Sequence, residues 1–404
     1  MRLAFLWAAA LTLHAQSDHA GMTDLNAASM FQMNLASGTS ANPTSASAPM
    51  LMRHYGNWST MFMGEAFLVD TQQSGPRGAD KFYAPNEFMA SLEHRAGSQG
   101  AFEAELMLSL DPATVTDRRY PLLFQTGETA YGVPLVDAQH PHNFIMALGF
   151  HYTRRLLSGA MLDFYAAPVG DPALGPVAFP HRASAQELPQ APLSHHLQDS
   201  THIADDVVTL GLSRKRFKIE ASGFHGTEPG ENRWIVESGA IDSWSVRAWF
   251  FPTPRWAAQF SAGNLAHPER LEPGDQTRLT SSLAYTRPNG SATSFIWGRT
   301  HNTATQHNLN SYLAESVLPV RRVNFLTARL ELVDKDELSL PGTFRIGAAT
   351  IGYTRDLPLF RDLETGIGAN FTAYTLPAAL KPLYGDHPAG ANVFLRIRLR
   401  NASN

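Results

Sequence analysis

The chain has 404 residues, of which 44% are hydrophobic, and 32 Lys and Arg against 36 Asp and Glu leave a formal net charge of −4. So small a charge argues against a dedicated nucleic-acid binder, and the absence of cysteine excludes stabilisation by disulfides. The length alone allows either two ordinary domains or one large all-β body.

The first fifteen residues have the pattern of an export signal. A short basic start, Met1 and Arg2, precedes an apolar stretch at 3–13 and a cleavage signature that ends at Ala15. The stretch is too short to span a membrane as a helix. A buried N-terminal helix is the alternative, but the polar residues that follow offer it nothing to pack on. We therefore predict a signal peptide at 1–15 and a mature protein outside the cytoplasm.

Residues 16–57 form a tail of low complexity that is rich in Met, Ser and Ala. It contains SDHAGM at 17–22, and methionines recur through the tail and into the next segment at Met30, Met33, Met50, Met52, Met61 and Met63. Soft copper accepts thioether and imidazole ligands. In this respect the tail resembles the Met- and His-rich tails of copper-resistance outer-membrane proteins, although it has only one degenerate copy of their repeat. A low-complexity linker is the simpler interpretation.

Beyond residue 57 apolar and polar residues alternate with the period of a β-strand. In NVFLRIRLRN at 392–401, for example, Val, Leu and Ile fall on one face and three Arg on the other. About sixteen such segments have the length of roughly ten residues that a tilted membrane strand needs. We place them at 58–69, 86–95, 100–110, 143–154, 158–166, 206–214, 216–226, 242–252, 255–264, 276–287, 291–301, 309–318, 323–334, 343–355, 363–374 and 391–400.

Short and long connections alternate between these strands. RPNGS at 287–291 is a strong hairpin signal, whereas 111–142 and 167–205 are long. Outer-membrane barrels show this asymmetry, because their periplasmic turns are tight and their outer loops are long. A soluble β-sandwich or propeller has no reason to lengthen every second connection. The sequence therefore predicts an all-β fold, a transmembrane antiparallel barrel of about sixteen strands over 58–404, in the bacterial outer membrane.

The charged faces of the strands must then look inward. An Arg that faced lipid near mid-membrane would cost about 2–4 kcal/mol, so a row of them lines a hydrated lumen. A barrel of this size leaves room for a channel or for inward-folded loops. The charged lumen residues that we expect to set selectivity are Glu103, Glu105, Arg329, Glu331, Arg396, Arg398 and Arg400.

The two longest connections are rich in histidine. Imidazole together with carboxylate suits zinc, copper, nickel or iron, and the Asp-x-x-His-x-His spacing in LVDAQHPHNF is that of a ligand set. No established metal motif is matched, and histidine in polar loops is usually hydrogen-bonded or solvated. The candidate ligands for copper or zinc are Asp137, His140, His142, His195, His196, Asp199 and His202.

Enzymatic activity is the least favoured hypothesis. Ser194, His195 and Asp199 are close in sequence, but neighbours in a loop do not make a catalytic triad, and the chain has no nucleophile-elbow pattern. We predict that the protein is not an enzyme.

Three longer segments, QHPHNF, APLSHHLQDSTHI and FHGTEPGENRW, resemble stretches in a family of uncharacterised bacterial outer-membrane β-barrel proteins of porin type. The resemblance covers roughly the central third of the chain. It implies a location in the cell envelope, and it carries over no catalytic residue.

We predict a porin-like channel for small solutes, with the Pro- and His-rich connection 167–205 as a constriction. Two alternatives remain open, namely a metal-handling barrel whose His-rich loops bind copper or zinc, and a non-conducting surface barrel. No cofactor is required. The expected partners are outer-membrane lipid and small solutes or metal ions, not nucleic acid, and a homotrimer, the assembly of many porins, is a further candidate.

Overall fold

Strands account for most of the residues that the structure, a computed structural model, describes, which are 25–46, 48–360 and 363–400. They are β1 Leu51–Tyr55, β2 Trp58–Gln73, β3 Asp80–Tyr83, β4 Asn86–Ala96, β5 Gly100–Leu108, β6 Tyr120–Ala130, β7 Val133–Gln139, β8 Ile145–Arg155, β9 Met161–Gly170, β10 Ala204–Arg214, β11 Phe217–His225, β12 Ser243–Phe250, β13 Trp256–Leu265, β14 Gln276–Thr286, β15 Ala292–Asn302, β16 Asn308–Val320, β17 Asn324–Lys335, β18 Phe344–Leu357, β19 Leu363–Thr375 and β20 Ala389–Leu399.

The helices are short. They are α1 Ala27–Gln32, α2 Asp111–Thr114 and α3 Lys381–Tyr384, with 3-10 turns at Thr116–Arg118, Phe179–His181, His195–Leu197, Ser200–His202 and Ala378–Leu380. None of the helices within residues 25–46, 48–360 and 363–400 is both long and apolar enough to cross a membrane.

Sixteen of the strands close into one antiparallel barrel. β2, β4, β5 and β8 to β20 pair in that order, and β20 pairs back onto β2 from Glu65↔Arg398 to Gln73↔Gly390. These are the sixteen predicted segments, so the predicted fold is confirmed. Closure leaves no sheet edge, as is required where no water can satisfy backbone groups.

The alternation of the sequence places apolar residues on the outside. Ile219 and Ile351 are each 66% exposed on the outer face, whereas Arg247 and Arg396 are at most 1% exposed on the inner face. An outer surface of this kind is stable only against lipid, because aliphatic side chains lose nothing there. The barrel therefore lies in the bacterial outer membrane, as predicted.

The two ends of the barrel differ. At one end the connections are tight, as at 287–291, where Arg287 N–H donates to the Ser291 carbonyl and Gly290 takes a φ of +85° that favours glycine. At the other end they are long, with 109–144, 171–203 and 226–242 between successive strands. This is the predicted asymmetry, and the long connections mark the outer end.

Four strands were not predicted. β1 lies within the predicted tail 16–57 and pairs with the start of β2 through the register Leu51↔Phe62, so the sheet begins before residue 58. β3 pairs with β2 from Val69↔Tyr83 to Gln72↔Asp80, just beyond the stretch of β2 that pairs with β4. β6 and β7 form an irregular hairpin inside the predicted loop 111–142. Tertiary packing holds that hairpin, because Leu123 and Phe124 pack on inward-facing side chains of the wall. The predicted signal peptide 1–15 and the segment SDHAGM lie outside the described residues.

Candidate functional site

The connection between β9 and β10 folds into the barrel, and we call it the plug loop (residues 171–203). The β9–β10 ladder ends at the pair Ala204↔Gly170, so the loop leaves and rejoins the wall at one place. All but four of its residues are buried. The sequence predicted a constriction here, and the structure shows that the loop occupies the interior. Its proline content and three 3-10 turns keep it compact without a ladder of its own.

Charged side chains anchor the plug loop to the wall. Arg182 Nη1 lies 2.9 Å from Asp199 Oδ2 within the loop, and its Nε lies 2.5 Å from Glu315 Oε1 on β16. The second oxygen of Glu315 is 2.9 Å from Arg329 Nε on β17, and Arg329 also donates to the Gln190 carbonyl. The four side chains form one alternating chain of charge, in which each buried ion has a partner.

A second anchor joins the plug loop to β20. Glu187 forms ion pairs with both Arg396 and Arg398, and the Arg398 Nη2 to Glu187 Oε1 distance is 2.7 Å. Arg398 also pairs with Glu364 and Glu65 of neighbouring strands. The two arginines thus hold a carboxylate from the middle of the plug loop against the wall.

Four of the predicted lumen residues therefore meet protein instead of water. Arg329, Arg396 and Arg398 form the anchors described above, and Glu331 accepts hydrogen bonds from both the backbone N–H and the hydroxyl of Ser194, each at 2.9 Å. The sequence showed that these side chains face inward. It could not show what they face, because their partners in the plug loop are up to 211 positions away.

The other predicted lumen residues lie elsewhere. Glu103 and Glu105 are buried on β5, and Tyr165 donates a hydrogen bond of 2.9 Å to Glu105. Arg400 follows the last residue of β20, beyond the end of the paired sheet. A role of these three residues in selectivity stays a prediction.

A second segment, residues 25–46, which we call the N-terminal segment, also lies inside the barrel. Its helix α1 is capped by the Asn26 side chain and packs on β5 and β8. Further along, the Thr39 hydroxyl donates to Glu220 at 2.5 Å, and the Ser45 N–H donates to the Pro254 carbonyl at 2.9 Å. Asn26 reaches Gly97, so the segment crosses the end that carries the tight turns. The described part of the predicted tail is therefore packed structure.

Two of the methionines that hinted at copper have a packing role. Met61 and Met63 face the interior and pack beside a cluster that contains Met89, Met107 and Met146. Flexible thioethers fill irregular apolar space well, and this cluster needs no further explanation than packing.

Five of the candidate ligands converge on one place, and we call them the histidine cluster: His140, His142, His195, His196 and His202. Neighbouring ring centroids are 5.2–5.6 Å apart. Three rings have carboxylate partners, with His195 Nδ1 at 2.7 Å from Asp199, His142 Nδ1 at 3.0 Å from Asp111 and His140 Nε2 at 3.0 Å from Glu128. The sequence did not identify Asp111 and Glu128 as partners, because they belong to a short helix and an irregular hairpin that have no periodic pattern of residues.

The remaining two rings are buried with unused nitrogens. Both ring nitrogens of His196 lack a hydrogen-bond partner among the described residues. The Nε2 of His202 lacks one as well. Burial lowers the pKa of both imidazoles well below the usual value, and His195 lowers each further. Burial raises the pKa of Asp199, but His195 and Arg182 outweigh it and hold that pKa at about 2. His196 and His202 are therefore neutral at neutral pH, with free lone pairs.

The geometry limits what the cluster can bind as it stands. Within the described ranges, no three His, Asp or Glu side chains are placed to hold one metal ion. Asp137 lies apart from the cluster, because it pairs with Arg77 and accepts hydrogen bonds from the Phe124 N–H and the Tyr384 hydroxyl. Gly127, at φ +108°, lies against His196, where a Cβ would come within 2.5 Å of the ring.

Ser194 is not paired with a histidine in the described part of the chain. Its hydroxyl bonds to Glu331 and Gln198, and no hydrogen bond to His195 occurs in the described part of the chain. His195 instead bonds to Asp199. A Ser-His-Asp triad needs an imidazole within hydrogen-bond reach of the serine hydroxyl, so Ser194, His195 and Asp199 do not have the arrangement of a triad.

The barrel is similar to solved structures of porins. Among them are OmpF of Salmonella typhi in complex with daunomycin, at 8% identity and a TM-score of 0.54 over 86% of this chain and 100% of that chain. Others are an anion-selective porin from Comamonas acidovorans, at 10% identity and 0.55 over 84% and 99%, and a loop-deletion mutant of the outer-membrane protein OmpT of Vibrio cholerae, at 7% identity and 0.52 over 85% and 99%. Identities this low show the fold alone. No family model and no curated protein sequence matches the chain.

Proposed function

We propose that the protein is a gated outer-membrane channel for small solutes, which the plug loop and the N-terminal segment close in this conformation. The observation that carries the proposal is the polar contact between plug loop and wall. The charged side chains Arg182 and Glu187 are both paired with wall residues. Buried ion pairs add little net stability over hydrated ions, so water can replace them when the loop moves.

The width of the barrel also supports a channel function. A barrel of this many strands is too wide for side chains alone to fill, and a hydrated bore remains once an inner loop is displaced. In the open state Arg329, Glu331, Arg396 and Arg398 would face that bore and set its selectivity by charge. A homotrimer stays a prediction, and it is tested by the mass of the detergent-solubilised complex.

A reversible cross-link tests whether the plug loop is the gate. The hydroxyls of Ser184 in the loop and Ser294 on β15 are 2.8 Å apart, and the chain has no cysteine of its own. We expect the double variant Ser184→Cys with Ser294→Cys to form a disulfide that abolishes conductance in planar bilayers. A reductant should restore the conductance to the level of the unmodified protein.

A matched cross-link within the wall serves as control. Thr350 and Thr372 face the interior on neighbouring strands, and their hydroxyls are also 2.8 Å apart. A disulfide between cysteines at these positions should leave conductance unchanged. Conductance that persists through a complete Ser184–Ser294 cross-link would rule out the plug loop as gate. If the double variant does not conduct in either the reduced or the oxidised state, the result would favour the non-conducting barrel.

The second candidate function, metal handling, has one specific observation in its favour. His196 and His202 offer neutral, unpaired nitrogens beside three further imidazoles. Rotation of side chains would be needed to bring three donors together, since no three are so placed now in the described residues. Zinc or copper would take such ligands.

Metal titration decides between the two candidates. If the histidine cluster binds metal, replacing His140, His142, His195 and His196 with Ala should abolish the binding of zinc or copper(II) in calorimetry. The matched control replaces His267 and His387, both exposed in outer connections, and should bind as before. Equal stoichiometry in the quadruple variant would exclude the cluster as the metal site.

Catalysis is not part of the proposed function. The Ser194 hydroxyl is hydrogen-bonded to Glu331 and Gln198 and has no imidazole partner among the described residues, so Ser194 is not arranged as the nucleophile of a Ser-His pair. Turnover of phospholipid or peptide esters that is lost on Ser194→Ala would contradict this.

A further inference from the structure

An acidic cavity opens at the outer end of the barrel, above the plug loop. Its volume is about 270 Å³, and its walls come from the β6–β7 hairpin and from the connections 226–242, 266–275 and 336–343. Six carboxylates line it: Glu128, Glu228, Glu231, Glu269, Glu272 and Glu337. The guanidinium of Arg270 also lines it and is paired with Glu237. Four separate connections thus bring acidic side chains to one place. No local sequence pattern predicts this arrangement.

Glu228 lines this cavity, and one of its carboxylate oxygens has no hydrogen-bond partner among the described residues. Its Oε1 lies 3.3 Å from both the Ser200 hydroxyl and Arg278 Nη2, and its backbone N–H donates to the Pro268 carbonyl at 2.9 Å. The side chain is only 8% exposed, and Oε2 has no partner in the part of the chain that the structure describes. A buried carboxylate oxygen without a donor is unfavourable, so this atom is a ready acceptor for a ligand.

The neighbouring carboxylates have basic residues nearby but none in ion-pair contact: Arg278 acts on Glu269, His307 on Glu272 and Lys335 on Glu337. No Lys, Arg or His nitrogen within the described ranges lies within 4 Å of Glu269, Glu272 or Glu337. Burial raises the pKa of Glu337 to about 7, and Glu272 adds to the shift. Burial, followed by Glu228 and Glu337, raises the pKa of Glu269 well above its usual value. A cation in the cavity would favour the ionised form of these groups.

The shape of the cavity argues for an organic cation. Pro229, Pro268, Leu271 and Leu338 supply apolar walls between the carboxylates. The carboxylates are also not placed to share one metal ion, as far as the described residues go. At about 30 Å³ for each water in the liquid, the volume holds roughly nine water-sized groups. A metal ion would leave most of that space and the apolar walls unused.

We propose that the acidic cavity binds a small organic cation, an amine, amidinium or guanidinium on an apolar body. Below it a narrower space shares Glu269, Glu272 and Glu337 and ends at His196 and Leu197 of the plug loop. The ligand would therefore sit above the plug loop, with this narrower space between them. Its role as the outer binding site of a channel rests on the proposed function, but the binding itself does not.

Three probes of equal size test the chemistry. Benzamidine is cationic, benzamide is its neutral isostere and benzoate is anionic, and each can be titrated into the full-length protein in detergent by calorimetry. We expect benzamidine to bind at least about tenfold more tightly than benzamide, and benzoate not at all. The double variant Glu269→Gln with Glu337→Gln should weaken benzamidine by about tenfold or more, and Glu228→Gln should also weaken it.

A matched control and a pH series sharpen the test. Asp386→Asn removes an exposed carboxylate from another outer connection, where it pairs with Lys381, and should leave benzamidine binding unchanged. Benzamidine affinity should fall as the pH drops from 8 to 5.5. The sign follows because protonation of Glu337, whose pKa is about 7, removes the charge that attracts the cation.

The results separate this proposal from the proposed channel function. Equal binding of benzamidine and benzamide, or unchanged affinity in a folded Glu269→Gln, Glu337→Gln variant, overturns the cation site. Benzamidine binding by a barrel that never conducts supports the site and contradicts only the channel. Conductance without benzamidine binding contradicts only the site.

Discussion

Removing both inner segments is expected to turn the closed barrel into a permanently open pore. The variant replaces residues 171–203 with an Asn-Gly turn and deletes residues 25–46 while keeping the signal sequence. The turn fits because Gly170 and Ala204 are already paired across the β9–β10 hairpin. A sixteen-stranded wall without its inner loop encloses an aqueous bore, so planar bilayers should show stepwise, porin-sized conductance.

The single deletions act as graded controls. Each removes one of two closures, so each should conduct less than the double variant. Shortening the exposed turn 303–307 between β15 and β16 leaves the interior untouched and should leave the closed state intact. If the double variant folds, as judged by its altered migration before and after heating, and still does not conduct, the plug loop and the N-terminal segment are not what closes the barrel.

Neutralising one carboxylate of the plug loop should release the loop. Glu187→Gln takes a shared partner from Arg396 and Arg398, and breaking a buried ion pair costs about 3–5 kcal/mol. Since about 1.4 kcal/mol is a factor of ten, the displaced state should become more populated by roughly a hundredfold or more. We expect a higher open probability in bilayers and trypsin cleavage after Arg182, which is buried in the unmodified protein.

The matched control leaves the plug loop unchanged and removes a different carboxylate partner of Arg398. Glu364→Gln removes a carboxylate 2.8 Å from Arg398 that belongs to the wall, so it should not loosen the plug. Cleavage after Arg182 at the same rate in both variants would mean that Glu187 does not hold the loop. The comparison therefore separates loss of an anchor from loss of charge alone.

Part of the candidate site was visible before the structure. His140, His142, His195, His196 and His202 stood out because two long connections concentrate them, and the structure brings the five rings together. Their carboxylate partners were not visible. Asp111 lies in a four-residue helix and Glu128 in an irregular hairpin, and neither element leaves a periodic pattern. The acidic cavity was invisible for the same reason, since four connections contribute to it.

The sequence by itself determined the wall: the number of strands, which face of each meets lipid, and which end carries long loops. It could do so because each strand has lipid on one side, and that environment imposes a period of two on the residues. Only the tertiary structure decided what fills the interior. Glu187 and Arg396 are 209 positions apart, and the N-terminal segment meets strands far along the chain. Complementary charges at such distances satisfy each other only in three dimensions, so they leave no local trace.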